Sequence, residues 1–85
     1  MGFHISKHAS EQMIARGIDE NTVWDILNHP QQIIQLTDKQ IYQSVINEND
    51  KKYLIRIFVN NLKDPNLVIT VYKTSKVEKY YESDL

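Results

Sequence analysis

The chain of 85 residues has no cysteine, two glycines, two prolines and no apolar run near the length of a membrane-spanning helix. The lack of cysteine excludes disulfide bonds and thiolate metal sites, and it is compatible with a reducing cytosol. No P-loop sequence occurs, and two glycines cannot form a dinucleotide-binding fingerprint. The N-terminal MGFHISKHA lacks the apolar core of a signal peptide. We therefore expect a cytoplasmic protein with no membrane partner.

The net charge of −1 argues against a strongly basic nucleic-acid binder. The charges are nevertheless unevenly distributed: residues 1–50 carry three cations against seven acids, and residues 51–85 carry seven cations against four acids. The C-terminal part therefore carries the positive potential. A difference of this size also occurs on ordinary solvated surfaces, and both interpretations remain open at this point.

Two helices are predicted in the first third of the chain. Ser6 is a candidate N-cap for a helix over Lys7–Arg16, which Gly17 would end in a left-handed conformation. Asp19 is the candidate cap of a second helix that runs from Glu20 to about residue 29 and stops before a proline. Each helix has an apolar stripe, so the pair needs a flat surface on which to pack.

Four strands follow, since β-branched and aromatic residues alternate with polar ones between turn-forming segments. Their predicted ranges are Gln32–Leu36, Gln40–Asn47, Lys51–Val59 and Leu67–Lys73. The expected fold is a single α+β domain over residues 1–85. Its order is ααββββ, with two N-terminal helices on one face of a four-stranded, mostly antiparallel sheet. Residues 74–85 form either a short helix capped by Ser75 or a frayed tail.

Strand alternation places polar chemistry on one side of this sheet. In the third predicted strand, Arg56 points away from the apolar Ile55 and Ile57. In the fourth strand, Leu67, Ile69 and Val71 point to one side and Val68, Thr70 and Tyr72 to the other. If the two strands pair with their aliphatic faces together, a guanidinium, a hydroxyl and a phenol share the opposite face.

Four segments carry a resemblance: Ser6-Lys7-His8-Ala9, Arg16-Gly17-Ile18, Pro30 and Ile69-Thr70-Val71-Tyr72. The chain resembles a family of small bacterial domains of unknown function with an S-[KR]-H-A start, R-G-I between two helices, a proline after the second and a closing T-V-Y strand. That family is distantly similar to the BrnT and RelE/ParE-type toxins of toxin-antitoxin pairs, whose broader fold includes metal-independent ribonucleases. The resemblance implies RNA or the ribosome as target, an antitoxin protein as partner and no cofactor. Members often have arginine where this chain has Gln12, which would remove a cation from the helix row that follows His8.

Cleavage of RNA without a metal requires a base, an acid and cations that stabilise the charged phosphorane. The catalytic candidates are His8, Arg56, Thr70 and Tyr72. His8 suits proton transfer because imidazole changes charge near neutral pH, although it is equally a polar residue at the start of a helix. Arg56 either binds a substrate phosphate or forms an ion pair with a neighbouring acid. Tyr72 could stack a base or donate a proton.

The RNA-binding candidates are Arg16, Lys73, Lys76 and Tyr42. The two lysines would hold phosphates, and Tyr42 would add an aromatic platform if it lies on the face of Arg56. Arg16 also suits the C-terminal end of a helix without any substrate.

No metal site is predicted, although His4 and His8 are four residues apart. The first helix begins after His4, and neither a third ligand at suitable spacing nor a cysteine is present.

Two classes of function fit these features. The first is a toxin-like ribonuclease held inactive by an antitoxin. The second is a non-catalytic module on the same fold, which binds a protein or forms a homo-oligomer by adding a strand at the edge Gln32–Leu36.

Overall fold

The computed structural model describes residues 2–81, which form five strands and three short helices. In chain order the elements are β1 Phe3–Ile5, α1 Lys7–Ala15, α2 Glu20–Asn28, β2 Gln32–Gln35, β3 Gln40–Glu48, β4 Lys51–Asn60, β5 Asn66–Thr74 and α3 Val77–Tyr80. The strands form one sheet in the order β1-β5-β4-β3-β2. Among the described residues, no helix combines the length and apolar character needed to cross a bilayer.

The predicted ααββββ order with a four-stranded, mostly antiparallel sheet is wrong, because the chain begins with a strand. β1 pairs in parallel with β5, with Phe3 opposite Asn66 and Ile5 opposite Val68. The α+β protein therefore has a five-stranded mixed sheet. A strand of three residues is too short to show alternation, and a parallel neighbour at the far end of the chain leaves no hairpin signal in the sequence.

Helix α1 begins at Lys7 as predicted and ends at Ala15, one residue before the predicted end. The Ser6 hydroxyl accepts a hydrogen bond from the amide of Ala9 at 3.1 Å. At the other end, Gly17 has a φ of +64°, and the amide of Ile18 donates to the carbonyl of Met13 at 2.8 Å. Together with the bond from the Gly17 amide to the Ile14 carbonyl at 3.3 Å, this C-terminal bond forms a Schellman motif, which satisfies carbonyls that the helix end would otherwise leave unpaired.

Helix α2 follows Asp19, but the carboxylate of Asp19 makes no capping hydrogen bond. The expected cap position is therefore correct, while the capping bond is absent. Val23, Ile26 and Leu27 form the buried stripe of this helix. The helix ends at Asn28, two residues before Pro30, because the residue that precedes a proline is disfavoured in helical geometry.

The helix face of the sheet is the side that packs against α1 and α2. Its buried side chains belong to the same cluster as the apolar stripes of both helices: Tyr42, Ile55, Ile57, Val59, Val68 and Val71. Val68 was predicted on the other side, and that prediction is wrong. The register shifts at Phe58/Val59, so that Phe58 lies opposite Thr70 and Val59 lies opposite Val68. A β-bulge of this kind adds one residue and inverts the alternation beyond it.

The reverse face is the other side of the sheet, and it contains Gln43, Leu54, Arg56, Phe58, Thr70 and Tyr72. It is partly covered, because α3 packs against β4. Gln43 and Leu54 are fully buried there. The short C-terminal helix, left open by the sequence, thus exists over Val77–Tyr80 and follows Lys76 rather than a capping Ser75.

Candidate functional site

A row of polar side chains crosses four strands of the reverse face. The strand registers place Gln32, Gln43, Arg56 and Tyr72 side by side on β2, β3, β4 and β5. Gln43 Nε2 donates to Gln32 Oε1 at 2.7 Å, Arg56 Nε donates to Gln43 Oε1 at 2.9 Å, and Arg56 Nη1 donates to the Tyr72 hydroxyl oxygen at 2.7 Å. We call these four residues the polar row. Gln43 and Tyr72 thereby fix the guanidinium of Arg56 from two sides.

Aromatic rings surround the guanidinium of Arg56. Its central carbon lies 5.5 Å from the ring centroid of Phe58, 5.7 Å from that of Tyr72 and 4.6 Å from that of Tyr80. Phe58 and Tyr72 stack at 6.0 Å, and Tyr80 meets Tyr72 edge to face at 6.5 Å. A cation over an aromatic face is stabilised by the ring quadrupole, and planar guanidinium groups suit this stacking particularly well.

No carboxylate within residues 2–81 forms an ion pair with Arg56; the ion pairs described there join Lys39 to Asp38 and Lys73 to Glu48. The alternative interpretation of Arg56 was an ion pair with a neighbouring acid. Residues 2–81 contain no such pair. The two hydrogen bonds use only part of the five-donor guanidinium. The remaining N–H groups of this half-buried cation, which has no carboxylate partner within residues 2–81, suit an anionic ligand.

A basic cleft lies beside α3. It has a volume of about 750 Å³ and is lined by Lys52, Ser75, Lys76, Val77, Glu78 and Lys79. Three of these residues are lysines and one is an acid, so the cleft carries positive charge. Lys52 has the same strand parity as Arg56 and therefore projects from the reverse face. The basic cleft and Arg56 are thus on one side of the molecule, and α3 contacts both.

Two other predicted site residues also lie on this side. Thr70 is opposite Phe58 on the reverse face, and Lys76 lines the basic cleft. The structure thus brings Arg56, Thr70 and Tyr72 to one face, as the alternation indicated, and Lys76 lies on the same side.

Tyr42 and Lys73 lie on the helix face instead. Tyr42 is 9% exposed, belongs to the core cluster and meets Phe3 edge to face at 5.5 Å. The prediction that it shares a face with Arg56 is therefore wrong, because its partner in the register is Ile57. Lys73 is opposite Ile55, and its Nζ forms an ion pair with Glu48 at 2.9 Å. The charge of Lys73 is therefore paired with an acid, and its side chain lies on the side of the sheet opposite to Arg56.

His8 lies apart from the polar row. It is exposed in the first turn of α1, and α1 packs on the helix face through Ala9 and Met13. Within residues 2–81, no contact joins His8 to Arg56 or to the other members of the polar row. The two catalytic candidates His8 and Arg56 therefore lie on different sides of the sheet.

Arg16 and Gln12 form hydrogen bonds with the backbone at the edge of β5. Arg16 Nη1 donates to the carbonyl oxygen of Val71 at 2.7 Å, and Gln12 Oε1 accepts from the amide of Val71 at 3.0 Å. β1 covers this edge only as far as Val68, so the two side chains complete the pairing that β1 leaves unfinished. Gln12 supplies an acceptor, which an arginine at this position could not do.

Five residues on this side of the molecule were not among the predicted site residues: Gln43, Phe58, Tyr80, Lys52 and Lys79. A signal for Gln43 was present: an amide between Ile41 and Val45 on a strand in the middle of the sheet needs a polar partner. Lys79 and Tyr80 follow Lys76 by three and four residues, a spacing that allows a basic and aromatic ridge on a short helix. Their location beside Arg56 depends on how the last helix returns to the sheet. Among the described residues, no group of three His, Cys, Asp or Glu side chains lies close enough to hold a metal ion.

Residues 5–73 match the family described as a domain of unknown function, DUF4258, and the chain belongs to this family. Neither curated proteins nor solved structures gave a match. The family assignment agrees with the resemblance to small domains of unknown function. Similarity to the BrnT and RelE/ParE-type toxins stays a prediction.

Proposed function

We propose that this DUF4258 protein is a toxin-like RNA-binding domain that holds single-stranded RNA on the reverse face, with Arg56 as the phosphate ligand. The observation that carries the proposal is the guanidinium of Arg56, which has no ion-pair partner among residues 2–81, is fixed by Gln43 and Tyr72 and is surrounded by aromatic rings. Fixing the guanidinium in advance lowers the entropic cost of binding.

The neighbouring groups suit a single strand better than a duplex. Stacking on aromatic rings requires bases that are not already stacked in a helix. Phe58 and Tyr72 offer such rings, and the lysines of the basic cleft provide a positive path for further phosphates. The overall charge of −1 makes the predicted binding local to this face rather than general to the surface.

Cleavage is the stronger form of this proposal. Arg56 could stabilise the charged phosphorane, and the Tyr72 hydroxyl, which accepts from Arg56, still has its own proton to donate. A general base is the missing component, since His8 is on α1. For catalysis to occur, the base must therefore be a protein group that reaches the reverse face when RNA is bound, or a group of the RNA itself.

The experiment uses the two arginines of the chain as a matched pair. A fluorescently labelled single-stranded RNA is titrated at several salt concentrations with the wild type, Arg56→Gln and Arg16→Gln. The slope of log affinity against log salt should fall by about 0.7 for Arg56→Gln, because one phosphate contact is lost. Arg16→Gln should keep the wild-type slope, since Arg16 bonds to a backbone carbonyl. Equal effects of both substitutions would refute the proposal. The absence of binding both by the wild type and by Tyr80→Ala, which removes the ring that lies over Arg56, would also refute it.

The ribonuclease form is tested on the same RNA with EDTA present. Cleavage that persists in EDTA and is lost in Tyr72→Phe identifies a metal-independent ribonuclease. Binding without cleavage identifies a non-catalytic RNA-binding domain.

A second candidate function, self-association, is favoured by the edge strand β2. This strand ends the sheet of the described residues, and Ile33 and Leu36 beside its edge are 47% and 39% exposed. An edge strand with exposed apolar side chains can pair with the same strand of a second copy. The test is molar mass by light scattering: Ile33→Lys should convert a dimer to a monomer, and Ile14→Lys, on an 83% exposed residue of α1, should not. A wild type that is monomeric at high concentration would exclude this function.

A further inference from the structure

The guanidinium of Arg56 is occupied by the chain itself. The ring of Tyr80 lies over it at 4.6 Å, which is shorter than the other cation-to-ring distances around this group. The carbonyl oxygen of Tyr80 also accepts from Gln43 Nε2 at 3.1 Å. A flat ring and an adjacent carbonyl oxygen thus occupy the place beside the polar row where a nucleobase with its own carbonyl would fit.

We infer that α3 is an autoinhibitory cover, in which Tyr80 occupies the base-binding position at Arg56 and must leave before RNA can enter. The inference rests on the proposed function for the identity of the ligand, although the cover itself is a property of the protein alone. The ligand class that would displace Tyr80 is an unpaired nucleobase of RNA, since it offers the same two features as the tyrosine.

The attachment of α3 is weak enough for such a displacement. The helix has four residues, its N-cap Lys76 makes no side-chain capping bond, and it contains no buried residue. A helix of this length has no stability of its own in water. Its position therefore depends on the contacts of Tyr80 with Arg56, Gln43 and Tyr72 and on packing against β4.

The cover also lies outside the part of the chain that matches the family. The match ends at residue 73, whereas α3 comprises Val77–Tyr80. Arg56, Gln43 and Tyr72 all lie within the match. The binding groups thus lie within the family match, and the segment that closes them lies after its end. Lys76 and Lys79 would leave with the cover, whereas Lys52 on β4 would stay in place on the reverse face.

The test measures the accessibility of Arg56 without any RNA. Phenylglyoxal modifies exposed guanidinium groups, and the chain has only Arg16 and Arg56 to modify, which peptide mapping resolves. The full-length wild type, Tyr80→Ala and Tyr81→Ala are compared, with circular dichroism to verify that each is folded. Tyr80→Ala should raise the rate at Arg56 about tenfold and leave Arg16 unchanged, because the stacked ring is lost. Tyr81→Ala, which removes a neighbouring tyrosine that makes no ring contact with Arg56, should match the wild type.

The same variants are then titrated with single-stranded RNA. Tyr80→Ala should bind about tenfold more tightly, because a larger fraction of the protein has an open site. Equal modification of Arg56 in the wild type and in Tyr80→Ala would overturn the cover. Faster modification together with weaker RNA binding would also overturn it and make Tyr80 an RNA-binding residue. Faster modification without any RNA binding supports the cover and refutes the proposed RNA ligand instead.

Discussion

Arg56 and Gln43 are expected to stabilise the fold as a coupled pair. Arg56→Leu removes the donor that satisfies Gln43 Oε1 at 2.9 Å and the donor to the Tyr72 hydroxyl at 2.7 Å. Gln43 is fully buried, so its oxygen loses its partner, whereas the half-buried Tyr72 hydroxyl can bind water. Hydrogen bonds to charged groups contribute about 1.5–3 kcal/mol, and we expect Arg56→Leu to lower the free energy of unfolding by about 2 kcal/mol.

Gln43→Leu removes the other end of the same bond and also the amide that bonds to Gln32 and Tyr80. Its expected cost is again about 2 kcal/mol. The double variant removes donor and acceptor together and places two apolar side chains side by side on neighbouring strands. Because the shared bond is then counted once, the double variant should cost about 2 kcal/mol, well below the sum of the two single costs.

Urea unfolding followed by circular dichroism measures these free energies, and a constant m-value would show that the variants unfold from comparable states. Lys7→Leu is the control, since it deletes a cation from an exposed residue of α1. If the two single costs add to within about 0.5 kcal/mol in the double variant, Arg56 and Gln43 act independently and the coupling is refuted.

Two further predictions concern α1. Gln12→Met should lower the free energy of unfolding by about 1 kcal/mol, because the Val71 amide loses the acceptor at 3.0 Å. Urea unfolding measures this cost. A cost equal to that of Glu11→Met, on the exposed side of the same helix, would contradict the prediction. Gly17→Ala should cost about 1 kcal/mol and lower the melting temperature by about 4–8 °C, since a Cβ at φ +64° is strained although no atom lies within 4 Å of it. An unchanged melting temperature in calorimetry would show that the Gly17 backbone relaxes at no cost.

Local sequence signals predicted the elements whose cause is local. Ser6 and Gly17 bound α1 because capping depends on residues within one helical turn. Asn49 and Asp50 have φ values of 53° and 64° in the two-residue turn between β3 and β4, which agrees with the turn-forming character of this segment. β1 had no such signal, because its pairing partner is more than sixty residues away.

The candidate site shows the same division. Period-two alternation placed Arg56 and Tyr72 on one face, and the register puts them directly opposite each other. Alternation did not reveal that Val68 turns inwards at the bulge, nor which face of β3 would meet Arg56, so Tyr42 was chosen in place of Gln43. His8 was grouped with Arg56 on chemical suitability alone, and the layer in which each residue lies was decided by packing.

By itself, the sequence determined the two ends of α1, the turn between β3 and β4, the parity of β4 and the location of Arg56 in the apolar stretch of residues 54–59. These follow from steric and hydrogen-bonding preferences of neighbouring residues. The tertiary structure alone decided that Gln43 fixes this arginine, that no acid in residues 2–81 neutralises it and that Tyr80 covers it. Such contacts join residues far apart in the chain, and they form only once burial of the apolar stripes has set the order and register of the strands.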